Sequence, residues 1–290
     1  MDMNEFLSTT DKTILLDGGM GTELQKFDLE MGGHNSALHP DEVLAVHKSY
    51  VACGIDMLIT NTLTMNRIYV EAHHVPVDVR EVNLAGAKLA RQAIGGEGYV
   101  LGDMSSTSKM LAPFGDLKKE DAVAAFKEQA ALLEEGGVDG FLIETMFDLG
   151  EALCAVEGCK AVSDLLVFAT ISFTSIKNGG RTVMGNTAQD CAKTLTDAGA
   201  AVVGANCGDL SPTEFTEIVT LMKEVTDLPI LIQPNAGLPQ LIDGETVFNM
   251  TPEDFANGVM ECVEVGAKFV GGCCGTSPAH IQALAKKLGG

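Results

Sequence analysis

DAVAAFKEQAALLEEGGVDGFLIE (residues 121–144) holds one complete repeat of the fold. Val123, Phe126, Ala130 and Leu133 recur at helical spacing and mark one apolar face. Gly136-Gly137 then supplies a helix stop. The following Gly140–Ile143 is short and apolar, reads as a buried strand, and is closed by the acidic Glu144. The same alternation recurs in both directions. Strands are predicted near Thr13–Leu16, Met57–Thr60, Tyr99–Gly102, Leu166–Ile171, Ala201–Ala205, Ile230–Gln233 and Lys268–Gly271, with helix-length amphipathic stretches between them. Proline at a first helical position recurs in His39-Pro40, Ser211-Pro212, Thr251-Pro252 and Ser277-Pro278, and Ser211-Pro-Thr-Glu214 fits a capping box. Eight strand–helix repeats predict an α/β fold, a (β/α)8 TIM barrel forming a single domain over residues 1–290. A doubly wound open sheet is the alternative, but it needs fewer strands or a second domain, and no Pro/Ser-rich linker or charge block divides the chain.

Composition narrows the function classes. The formal charge of -21, from 40 acidic and 19 basic residues, argues against nucleic acid or an anionic membrane as a partner. The start lacks a basic region followed by an apolar one, and no run of 18 apolar residues occurs, so neither a secretion signal nor a membrane helix is expected. Eight cysteines without such a signal suggest reduced thiols and a cytoplasmic location. Cys53, Cys154, Cys159, Cys191 and Cys262 fall in helix-like segments and read as small core hydrophobes.

In barrels of this kind chemistry gathers at the C-terminal ends of the strands. Those ends are Asp17, Asn61, Asp103, Glu144, Ser172, Cys207, Asn235 and Cys273. Each is polar or bears a thiol, which a purely structural barrel does not need. The set suits an amine-bearing ligand and a soft metal. Cys207 lies in Gly-Ala-Asn-Cys-Gly, while Cys273 and Cys274 lie in Gly-Gly-Cys-Cys-Gly-Thr. Three thiolates at two strand ends can hold one zinc ion with its fourth position open. Adjacent residues on a regular strand point to opposite faces, so Gly271, Gly272 and Gly275 are expected to break that alternation. The blander alternative is two buried core cysteines and an unrelated third. The first strand runs into Asp17-Gly-Gly-Met-Gly-Thr22, either simple turn punctuation or a nest of N–H groups for a carboxylate, with Asp17 and Glu144 on an ammonium.

Together these segments resemble the homocysteine S-methyltransferase family, whose zinc barrel also forms the first module of cobalamin-dependent methionine synthase. The matching stretches are residues 16–25 (LDGGMGTELQ), 60–62 (TNT), 144–145 (ET), 180–187 (GRTVMGNT), 204–208 (GANCG), 234–237 (PNAG) and 271–276 (GGCCGT), in family order across nearly the whole chain. The resemblance implies that Cys207, Cys273 and Cys274 bind Zn2+ and that homocysteine sulfur is the fourth ligand. It implies that Asp17 and Glu144 meet the substrate amino group, that Gly18 and Gly19 belong to the carboxylate cradle, and that Asn235 offers a side-chain oxygen near the metal. Zinc would then keep the substrate thiol deprotonated, and a methyl group would pass to sulfur to give methionine.

The donor is the open choice. Betaine favours an aromatic cage, but the chain has no Trp and only Tyr50, Tyr69 and Tyr99. Residues 102–117 are similar to the corrinoid-using branch, departing from it at Ser105-Ser106, where relatives commonly have Gly-Pro. The expected donor is therefore a methylcorrinoid, free methylcobalamin or one carried by a separate corrinoid protein. S-methylmethionine or another sulfonium is the alternative. Met20, Met65, Met104, Met146 and Met184 read as gap-fillers rather than a docking surface, and His73-His74 as a solvated loop. A zinc hydrolase would call for a His-rich ligand set and a better Lewis acid than a three-thiolate zinc. A non-catalytic barrel subunit with structural zinc would call for a fourth Cys or His ligand.

Overall fold

The computed structural model describes residues 3–242 and 245–289. Eight parallel strands form the sheet: β1 (Ile14–Leu15), β2 (Met57–Ile59), β3 (Tyr99–Met104), β4 (Gly140–Met146), β5 (Leu166–Ile171), β6 (Val202–Asn206), β7 (Ile230–Gln233) and β10 (Ala267–Val270). Their spatial order is β1-β10-β7-β6-β5-β4-β3-β2, and a parallel bridge between Leu16 and Met57 brings the two ends of the sheet together. The (β/α)8 barrel is thus borne out. The register lines up the strand ends, pairing Val270 with Ile232, Ala205 with Ile232, Ile171 with Ala205 and Met146 with Ile171. The loops that leave those ends therefore share one rim.

Period-two alternation divides the apolar residues into two layers. Leu16, Met57, Leu101, Leu142, Phe168, Val202, Leu231 and Phe269 fill the inside of the barrel, where the rings of Phe168 and Phe269 meet edge to face at 5.2 Å. Val100, Phe141, Ile143, Val167, Ala169 and Val203 point outward to the helices. Helix α1 (Met3–Thr9) lies against the N-terminal floor, where Met3, Phe6 and Leu7 pack on the inner layer.

The remaining helices are α2 (Met20–Leu24), α3 (Asn35–Leu38), α4 (Pro40–Val51), α5 (Arg67–Ala72), α6 (Val79–Ile94), α7 (Lys119–Glu135), α8 (Leu149–Lys160), α9 (Ala188–Ala198), α10 (Phe215–Lys223), α11 (Pro252–Glu264) and α12 (Pro278–Leu288). In α7 the buried face centres on Ala122, Phe126, Ala130 and Leu133, with Val123 at its edge, and Gly137 at φ +91° closes the helix. Ser211 and Glu214 do form a capping box, but around a short 3-10 turn that precedes α10.

The structure corrects the sequence reading in three respects. Strands β3 and β4 run two and three residues beyond their expected ends, so Asp103 and Glu144 belong to the strands themselves. Cys53 sits in the turn after α4, although it is buried as expected. The connection after β7 carries an unanticipated antiparallel hairpin, β8 (Gln240–Ile242) and β9 (Glu245–Val247).

Candidate active site

Strand β10 ends at Val270, and the chain turns irregularly through residues 271–276. Backbone bonds set that turn, among them Gly272 N–H donating to Asp17 O (2.9 Å), Cys273 N–H to Pro234 O (2.9 Å), and Ala236 N–H to Cys274 O (3.0 Å). Because the alternation of a regular strand no longer applies, both thiols face the same way. Cys207 follows β6 in a left-handed conformation (φ +53°), and its N–H donates to Gln233 O (3.0 Å). The ligand atoms of Cys207, Cys273 and Cys274 all lie within 4.8 Å of one another. Three sulfurs about 2.3 Å from one tetrahedral ion stand roughly 3.8 Å apart, and the Cys273–Cys274 pair is separated by 4.0 Å. The trio fits a zinc ion with one position left open.

Its protonation fits too. Hydrogen bonds from Cys273 and Cys274 lower the Cys207 pKa to about 3, which favours its thiolate form. Donating to Cys207 pushes Cys274 up to about 12 and raises Cys273 as well. A divalent ion would take the place of those two protons. The other cysteines differ: burial raises the pKa of Cys53, Cys154, Cys159, Cys191 and Cys262, leaving them inert core thiols.

A cavity of about 320 Å³ lies beside the trio, lined by Asp17, Gly18, Gly19, Asp103, Glu144 and all three cysteines. Asp17 accepts from Ile59 N–H at 3.3 Å through Oδ2, whereas its Oδ1 has no partner, and Asp103 Oδ1 is likewise unpartnered. Burial, then the Glu144 charge, raises Asp17 well above the usual carboxylate range. Burial, then Glu144 and Asp17, does the same to Asp103. Burial, then the Cys207 thiolate, pushes Glu144 up to about 8. No Lys, Arg or His is among the described residues that line the cavity. Three carboxyl groups and a thiolate without a cation make a site suited to an ammonium.

The glycine turn is shaped by close approach. A Cβ on Gly18 would meet Thr276 Oγ1 at 2.7 Å, and one on Gly19 would meet Cys273 O at 2.6 Å. Tyr50, buried in α4, donates to Gly19 O (3.2 Å) or Thr276 O (3.1 Å) and braces the turn. Gly19 N–H already donates to Thr276 Oγ1 at 2.8 Å. The N–H groups that follow lie in the first turn of α2, which has no side-chain cap and whose Met20 and Gly21 line the cavity.

Of the other strand-end residues, Asn61 lines the cavity, while Ser172 is turned away, its Oγ donating to Asn206 O (2.9 Å). Asn235 is buried behind the trio: its Nδ2 donates to Gly208 O (3.0 Å), its amide helps hold Cys207 ionised, and its Oδ1 has no partner. Sequence reasoning passed over Asn206 and Gln233. A polar residue inside an otherwise apolar strand was the available signal for each. It also passed over buried Glu151 in α8, which accepts from Ser106 Oγ, Thr107 N–H and Thr107 Oγ1 at 2.7, 2.7 and 2.5 Å. Ser106 thus anchors the loop after β3. Met65, Met104 and Met146 are buried gap-fillers, Met20 lines the cavity, and Met184 is half-buried. His73 and His74 are exposed, and among the described residues the cysteine trio is the metal-capable cluster.

A family model for homocysteine S-methyltransferase matches residues 14–288. The chain belongs to the homocysteine S-methyltransferase family. It is 29% identical over 305 residues to the methionine synthase of Mycobacterium tuberculosis, a match that covers 98% of this chain and 25% of that protein. The chain thus spans about a quarter of the length of that relative. Among solved structures, the metallated form of the homocysteine methyltransferase MmuM from Escherichia coli superposes with a TM-score of 0.79 at 21% identity, covering 98% of this chain and 99% of that one. The carboxyl transferase domain of Rhizobium etli pyruvate carboxylase reaches 0.57 at 18% identity, over 97% of this chain and 48% of the other. Both likenesses are of fold. Within this homocysteine S-methyltransferase family member, the cysteine trio and the carboxylate-lined cavity share one mouth.

Proposed function

We propose that the chain transfers a methyl group to the thiol of homocysteine, giving methionine, with zinc held by Cys207, Cys273 and Cys274 and with a methylcorrinoid as donor, free or carried on a separate protein. One observation carries the reading: a three-thiol cluster and three cation-seeking carboxyls open into the same cavity of about 320 Å³. That combination grips an amino acid whose far end is a thiol. Asp17 and Glu144 would take the ammonium, which restores their ionised forms. The first turn of α2 would take the carboxylate. Zinc in the trio would supply the charge that keeps the substrate thiol deprotonated at neutral pH. With that proton gone, no general base is needed, in keeping with a lining that offers no histidine or lysine. The sulfur–methyl bond forms as the methyl–donor bond breaks in line, and the bonding pair stays with the donor.

Tyr69 is the aromatic residue of the cavity lining, too little for a betaine cage. A second donor reading, S-methylmethionine or another sulfonium, draws support from Asp103, a third carboxyl that would favour a cationic donor. Among the described residues no helix is long and apolar enough to cross a membrane. The deciding experiment mixes zinc-loaded protein with homocysteine and follows loss of methylcobalamin absorbance, beside parallel assays with S-methylmethionine and betaine. Methionine from methylcobalamin is the expected result. Turnover with S-methylmethionine alone would transfer the assignment to the sulfonium class, and no methionine from any donor would leave a non-catalytic barrel.

A further inference from the structure

Asn206 is the last residue of β6, directly before Cys207, and is fully buried. Its side-chain amide is used at both ends. Oδ1 accepts from Thr145 N–H (2.8 Å) and from the Thr170 hydroxyl (2.8 Å). Nδ2 donates to Thr145 Oγ1 (2.8 Å) and reaches Glu144 Oε2 at 3.5 Å and Cys273 Sγ at 3.9 Å. One side chain thereby ties together the ends of β4, β5 and β6 and the turn after β10.

The backbone shows why the tie is needed. Between Ile143–Ala169 and Met146–Ile171, β4 advances three residues while β5 advances two, so a bulge falls at Glu144-Thr145. Bulges re-aim side chains and remove an N–H from the ladder. Here the Thr145 N–H goes to Asn206, and Thr145 stands at φ +56°, a left-handed conformation that threonine rarely adopts. Cys207, the next residue after Asn206, is left-handed as well, at φ +53°. Two strained turns, one presenting the carboxylate and one a thiolate, are thus pinned to a single amide.

We propose that Asn206 is a positioning residue that fixes the Glu144 carboxylate against the thiol cluster, and so sets how strongly the site prefers a thiol that also carries an amino group. The inference rests on the homocysteine reading. Asn206→Asp keeps the acceptor that holds Thr145 N–H but removes the donors and places a carboxylate beside Glu144. Thr145→Val removes only the bond to Thr145 Oγ1. Calorimetric titration of each zinc-loaded protein with homocysteine and with 4-mercaptobutyrate, which lacks the amino group, reads the effect directly. The preference for homocysteine should fall roughly ten-fold or more in Asn206→Asp, the scale of one charge-assisted hydrogen bond, and by less in Thr145→Val. Zinc content and the sulfur-to-cobalt charge-transfer band of the cobalt-substituted protein should stay unchanged in both. A preference within two-fold of wild type in Asn206→Asp overturns the proposal, as does a parallel loss for both thiols or loss of the metal. Should Asn206→Asp fail to fold, an unchanged preference in Thr145→Val overturns it alone. Wild-type protein that binds neither thiol refutes the homocysteine reading itself, a result distinct from intact binding with an unmoved preference.

Discussion

Burial and the Cys207 thiolate push Glu144 up to about 8, so without a cationic ligand its carboxyl is mostly protonated at neutral pH. In the unfolded chain the same group ionises near its ordinary 4.5. Between those values the native state binds the extra proton, so stability falls as pH rises through about 8. Glu144→Gln removes that liability. Chelated Glu144→Gln protein should therefore melt above chelated wild type at pH 8, with a smaller gap at pH 5; thermal scans at the two pH values check this, and equal gaps would count against it. The same variant should bind homocysteine roughly 10- to 100-fold more weakly with zinc retained, as expected for loss of a charged hydrogen bond of about 1.5–3 kcal/mol. Cys207→Ala, Cys273→Ala and Cys274→Ala should each lower metal content and abolish turnover while circular dichroism stays native, because a rim ion does not hold up a core of this size. Cysteine and carboxylate identities at strand ends were legible in the sequence because each interrupts an apolar run. Asn206 was signalled only as a polar residue in an apolar strand; its role was not legible, since that lies in a bulge on a different strand, and bulges depend on register between strands rather than on local composition.

At the scale of elements, the strand–helix alternation was readable because both faces of every barrel strand are buried, which leaves short apolar runs with clear ends. The hairpin of β8 and β9 escaped because three-residue strands within a loop leave too little alternation to detect. Close strand approach explains another silent position. A Cβ on Gly204 in β6 would stand 1.9 Å from Leu231 O in β7, which backbone cannot relieve without parting the strands. Gly204→Ala should therefore yield insoluble or metal-poor protein. By contrast Gly96→Ala, where a Cβ meets nothing within 4 Å, should express and melt close to wild type. Soluble yield and melting temperature of the pair decide the point.

Across the whole molecule, the barrel has two unlike ends. The mouth is acidic and thiol-bearing, whereas the floor is apolar and covered by α1, with Met3 buried against the inner layer. Met3→Ala should cost about 2–4 kcal/mol of stability, as for other buried large-to-small changes, while homocysteine binding stays within two-fold of wild type; denaturant unfolding beside calorimetry tests both halves. The covered floor also offers a handle. Ser8 of α1 is exposed on that side, so a linker attached there would anchor the protein to a sensor chip upside down, mouth outward, and arrival of the proposed donor-carrying protein could be timed one encounter at a time without the surface obstructing it.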